Sequence, residues 1–168
     1  MSDKEHETAI RIFTYLSETE QDIDNKLEAH YYLLEIKTRT ATEKDYKAIL
    51  TEYETLFNTY GKQTQTFLIQ VSYAHFLAFY KHEQNKAITN LKETLALPIS
   101  AHQTAEAKLE LADILVVQEK FNEALIYYSQ IQRALKNSTI AQEARYRIAK
   151  TSYYKGDFKW AESQLKIL

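Results

Sequence analysis

Cysteine is absent from the 168 residues. That excludes disulfides, thiolate catalysis and cysteine-ligated metal, and it fits a reducing or an oxidising compartment equally. Glycine occurs twice and proline once. A β or mixed fold of this length needs many more turn residues, so the chain is expected to be almost entirely helical. Two glycines also cannot build a phosphate loop, a dinucleotide fingerprint or a GxSxG turn. No stretch approaches the roughly 18 apolar residues needed to cross a bilayer. The opening MSDKEHETAI is charged where a secretory signal would be apolar. The chain is therefore expected to be soluble, without direct membrane insertion. Its net charge is -2 and it has no basic run, so nothing favours nucleic acid.

The residues that carry chemistry are equally sparse in pattern. His6, His30, His75, His82 and His102 include no pair at HExxH spacing. His75 alone falls on an apolar face, where it reads as a core histidine with one satisfied nitrogen. Glu18, Glu20, Asp22 and Asp24 are close in sequence but lack the glycine and closing glutamate of an EF-hand. They read as the solvated start of a helix. No catalytic residue, metal ligand or cofactor site is expected, and the chain is read as a non-enzyme.

What the chain does contain is a register. Ala87, Ala124 and Ala161 stand 37 residues apart, as do His75, Ala112 and Ala149, then Leu91, Tyr128 and Leu165, and finally Phe121 and Phe158. A period of this length marks an array of helical pairs, none of which can bury its apolar face alone. The boundaries follow as one array over 1–168: an N-terminal helix at 8–16, a degenerate unit at 22–60, and units at 64–97, 102–135 and 139–168. Ile23, Leu27, Tyr31 and Leu34 form the first stripe of the degenerate unit. Thr42 and Asp45 suggest a capping box before its second helix, and Gly61 a stop after it. The 65–81 helix is apolar almost all round and is expected to be covered on two sides. Gly156 and Asp157 suit a tight turn. Leu165, Ile167 and Leu168 continue an apolar stripe to the end of the sequence, so the pattern reads as cut, leaving a C-terminal helix face suited to self-association.

Three motifs then carry a resemblance. Leu111-Ala112 and Ile148-Ala149 pair a large apolar residue with a small one in first helices. Gly156-Asp157-Phe158, Ala161 and Leu165 follow in one second helix, and Phe121, Ala124 and Tyr128 in another. In this the chain resembles the tetratricopeptide repeat family. Departures are His75 at a small position, Lys108 and Arg145 where a tryptophan-like residue is common, and Gln84 in place of the turn aromatic. The resemblance implies an all-α fold: a right-handed α-α superhelix, a solenoid of about four helix pairs plus the N-terminal helix. Its first helices would line a concave face that binds a protein or peptide. Carried over position by position, that face holds Ile69, Ser72, Phe76 and Phe79, then Glu106, Leu109, Asp113 and Val116, then Glu143, Tyr146, Lys150 and Tyr153. Asp113 or Lys150 would fix the partner's register.

Residues 137–162 are similar, more narrowly, to repeats of bacterial cell-envelope tetratricopeptide proteins, including those of outer-membrane assembly and Tol-Pal associated proteins. That implies a periplasmic or envelope fragment, with the cytoplasm as the alternative. The functional expectations are an interaction scaffold or a spacer and oligomerisation segment. Thirteen tyrosines are the compositional excess. Tyr31-Tyr32, Tyr127-Tyr128 and Tyr153-Tyr154 are adjacent pairs, so one member of each points away from the stripe the other serves, either onto the next helical pair or onto a binding face.

Overall fold

A computed structural model describes residues 3–167, with side chains from residue 5 onward. Among the described residues the fold is all-α, with no strand. The helices are α1 (Asp3–Thr19), α2 (Ile23–Thr40), α3 (Tyr46–Tyr60), α4 (Phe67–His75), α5 (Gln84–Leu95), α6 (Ala101–Val117), α7 (Phe121–Ala134), α8 (Thr139–Lys155) and α9 (Phe158–Leu165). They form two compact units, one ending at His82 and one beginning at Glu83. None of these helices is long and apolar enough to cross a membrane.

In the first unit α2 is central, packing against α1, α3 and α4. The acidic 17–24 stretch is mostly helical: α1 runs to Thr19, and Asp22 caps α2 by accepting from the Asn25 N–H at 3.0 Å. The Thr42–Asp45 box forms only in part. The Asp45 carboxylate accepts from both the N–H and the hydroxyl of Thr42, each at 2.8 Å, and α3 starts after Asp45 without a side-chain cap. These two bonds hold the Asp45 carboxyl below its usual pKa. Gly61 ends α3 at φ 75, a value that favours glycine, with its N–H on the Phe57 carbonyl.

The 65–81 helix is not uniform. A 3₁₀ turn (Thr64–Thr66) leads into α4, and a π turn (Phe76–Tyr80) follows it, closed by the Lys81 N–H on the Phe76 carbonyl at 3.1 Å. Its apolar surface is largely buried, as the lack of a polar face requires: Phe67, Ile69, Ala74, Phe76, Leu77 and Ala78 are all interior. The core joins Leu27 and Leu34 of α2, Ile49, Tyr53 and Leu56 of α3, and Ile69 and Phe76. Tyr46 sets its ring edge-on to both Phe76 and Tyr80, at 5.7 and 5.8 Å. Such edge-on pairs contribute about 0.5–1.5 kcal/mol each beyond the area they bury.

In the second unit each helix packs on the next, α5 to α6 through to α8 on α9, and the alternate helices α6 and α8 also touch. That is the stacking of a helical solenoid. The starts of α5, α7 and α9 at Gln84, Phe121 and Phe158 keep the 37-residue period. Ala87, Ala124 and Ala161 are buried in them, at 0%, 0% and 5% exposure. Serines begin the intervening helices: Ser100 and Ser138 accept from the Gln103 and Ala141 N–H groups, each at 3.2 Å, and Gln103 completes the box at α6. Each such cap contributes about 1 kcal/mol.

The corners before α7 and α9 are the same turn. Glu119 (φ 59) and Gly156 (φ 88) are both left-handed in φ, and the N–H groups of Lys120 and Asp157 reach back to the carbonyls of Leu115 and Ser152. His82, the residue one period before Glu119, also has positive φ, at 55. Asp157 additionally caps α9 by accepting from the Trp160 N–H. Leu168 lies outside the described residues. Of its stripe, Leu165 and Ile167 are exposed, whereas Leu91 and Tyr128, which hold the Leu165 position in α5 and α7, are buried.

Candidate functional site

Three of the twelve residues expected on a binding face are interior. Ile69 and Phe76 belong to the first unit's core at 1% and 0% exposure. Ser72 is buried between the Tyr53 hydroxyl and Glu35 Oε1, each 2.7 Å from its Oγ. Because the Ser72 hydroxyl donates to Glu35, the Tyr53 hydroxyl donates to Ser72. Carrying the row over from the regular repeats meets buried side chains here because α4 is apolar almost all round and Tyr53 of α3 packs against it. Phe79 is half-buried, its ring 4.6 Å from that of His75.

The second unit holds the other eight, on α6 and α8. Glu106, Leu109, Asp113 and Val116 of α6 are half-buried, as is Glu143 of α8. Tyr146, Lys150 and Tyr153 of α8 are exposed. The Lys150 ammonium lies 5.7 Å from the centre of the Tyr146 ring, within cation–π range. Tyr153 meets Tyr154 and Phe158 edge-on at 6.2 and 5.3 Å.

Asp113 is not a free charge awaiting a partner's register. Its Oδ1 accepts from the Tyr128 hydroxyl at 2.5 Å, and its Oδ2 is ion-paired with the Arg147 guanidinium. Arg147 also donates from Nε to Glu143 Oε1 at 2.8 Å. Thus α6 contributes Asp113, α7 Tyr128, and α8 both Arg147 and Glu143 to a shared polar joint. Burial lowers the Arg147 pKa, with Glu110 opposing that shift. Burial raises the Tyr128 pKa well above the ordinary tyrosine value, so its hydroxyl remains a donor. The sequence reading missed Arg147. Its one available signal was Glu143 at i and Arg147 at i+4, the helical spacing for an ion pair.

The tyrosine pairs resolve in different ways. Tyr32 stacks on Phe13 of α1 at 5.2 Å, which is packing onto a neighbouring helix. Tyr128 is the buried member of its pair, and Tyr153 and Tyr154 are both exposed. No family model and no curated protein matches the chain.

Proposed function

We propose that the chain is a non-catalytic, tetratricopeptide-type interaction scaffold that binds an extended peptide or a helix of a partner protein on the α6–α8 face. The observation that carries this reading is the exposure of Tyr146 and Tyr153, 45% and 61%, on α8, a helix tied to α6 by the Asp113–Arg147 ion pair. Large aromatics held on a rigid element lose little freedom on binding and dominate interface energetics. Lys150 of α8 and Glu106 of α6 supply charges of both signs, and the half-buried Leu109 and Val116 of α6 supply apolar surface. The similarity of 137–162 to envelope repeats favours a bacterial cell-envelope setting for such a scaffold.

A peptide library selected on the immobilised chain tests the reading. Selected peptides should bind the Tyr146→Ala/Tyr153→Ala variant at least about tenfold more weakly, each lost aromatic anchor being worth over 1 kcal/mol, while far-UV circular dichroism stays unchanged. Equal affinity for the variant would remove the α6–α8 face from the proposal.

A second reading, a spacer or oligomerisation segment, is favoured by one observation. Leu165 is 51% exposed although its counterparts Leu91 and Tyr128 are 0% and 1% exposed. Sedimentation velocity across a hundredfold concentration range tests its self-association: a constant monomer would set end-to-end assembly aside.

A further inference from the structure

The corner where α7 hands over to α8 holds a cavity of about 310 Å³. Gln132, Arg133, Lys136, Asn137, Gln142 and Arg145 surround it, with Ala141 as the only apolar side chain. Three of these are cations, and no carboxylate is among them, in a chain whose net charge is -2. Arg133 and Lys136 make no ion pair or side-chain hydrogen bond among the described residues, so they are not tied to the closing carbonyls of α7. Among the described residues the one hydrogen bond from Arg145 is to a carbonyl, that of Ile167, from Nη1 at 3.4 Å.

Two buried donors sharpen the case. Gln132 Nε2 and Arg145 Nε are buried, and neither finds an acceptor among the described residues. A buried N–H without an acceptor costs about 1–3 kcal/mol and calls for a specific explanation. Arg133 and Arg145 at the cavity also carry guanidinium forks, whose geometry suits an oxyanion. The first turn of α8, which begins one residue after its Ser138 cap, adds the positive end of a helix beside Asn137 and Ala141. The volume exceeds that of a single ion.

We infer that this cavity is a binding site for a small polyanion bearing phosphate or carboxylate groups, held by Arg133, Lys136 and Arg145. The site is separate from the α6–α8 face and does not rest on the function proposed for it.

Titrations with pyrophosphate and with citrate, followed by backbone amide shifts and calorimetry at low salt, test the assignment. Saturable shifts confined to residues 132–145 are expected, with a Kd below about 1 mM for at least one probe. Pyrophosphate binding the tighter of the two assigns the site to phosphate-bearing ligands, and citrate to carboxylates. Arg133→Gln/Lys136→Gln alters two exposed side chains and leaves the buried ones alone, so its folding is expected to match the parent. It should weaken binding about tenfold or more and flatten the salt dependence. No saturable shift with either probe at 10-fold that concentration, or undiminished binding by the double variant, would overturn the assignment. Arg145→Lys, which keeps the charge but removes Nε and the fork, should fall between the two.

Discussion

Tyr53 and Tyr128 stand 75 residues apart in the chain, and both are fully buried tyrosines whose hydroxyls donate towards a carboxylate on a preceding helix. Tyr53 does so through Ser72 to Glu35; Tyr128 does so directly to Asp113. The same offset carries Glu35 onto Glu110, Thr38 onto Asp113 and Ser72 onto Arg147. Each unit thus buries a tyrosine hydroxyl that is linked to a helical carboxylate, through a serine in the first and directly in the second.

The ionic version should be energetically coupled. Tyr128→Phe removes a donor to a partly buried carboxylate and is expected to destabilise by about 1–2 kcal/mol. Arg147→Ala should have a similar effect, moderated by the solvent that still reaches the pair, whose side chains are 21% and 32% exposed. In urea unfolding the double variant should lose less than the sum of the two, by at least 0.5 kcal/mol or so. Strict additivity would show that the three helices are not held by one shared joint.

Alkaline pH should unfold the chain through the same tyrosines. Burial raises both pKa values above the unfolded value near 10, so the folded state keeps its protons after the unfolded state has released them. This contribution is complete below about pH 10 and is lost as pH rises beyond it, with a limiting slope of about 1.4 kcal/mol per pH unit for each tyrosine. Stability measured from pH 8 to 11.5 should bend downward near 10, and Tyr53→Phe should flatten that bend.

The matched corners make opposite predictions for glycine. Glu119 is exposed and adopts φ 59, which a side chain resists, so Glu119→Gly should stabilise by about 0.4–1 kcal/mol. Gly156→Ala should destabilise by a similar amount. A Cβ there would meet nothing within 4 Å, so the penalty is one of backbone conformation alone. Thermal unfolding of both variants checks the pair.

These corners also show what the sequence made legible. Gly156 announces a left-handed turn by its type; Glu119 and His82 hold the equivalent places, but their types carry no such signal. The 37-residue spacing and the small residues Ala87, Ala124 and Ala161 could be read because close helix approach needs a missing side chain, and nothing else satisfies it. Ile69, Ser72 and Phe76 were misplaced because a periodic match gives a position along a helix, whereas burial depends on what neighbouring helices place above it. Asp113 was legible as a charge on the correct helix. Its engagement by Tyr128 and Arg147 depends on two other helices, a distance in sequence that local spacing does not reveal.

Close approach at the alanines is itself measurable. Ala124→Leu introduces a branched side chain at a fully buried position on α7 and should destabilise by about 1–3 kcal/mol. Ala134→Leu, on the same helix but exposed, should change stability by less than about 0.5 kcal/mol. Equal effects at the two sites would mean that α7 is not tightly apposed to its neighbours.

The successive stacking of α5 to α9 has a kinetic consequence. Every strong contact in that unit joins elements that are neighbours or next-neighbours along the chain, so docking closes only short loops. Ordering can nucleate at any serine-capped corner and spread outward, and opening can begin at the short α9 while α6 and α7 remain protected against amide exchange.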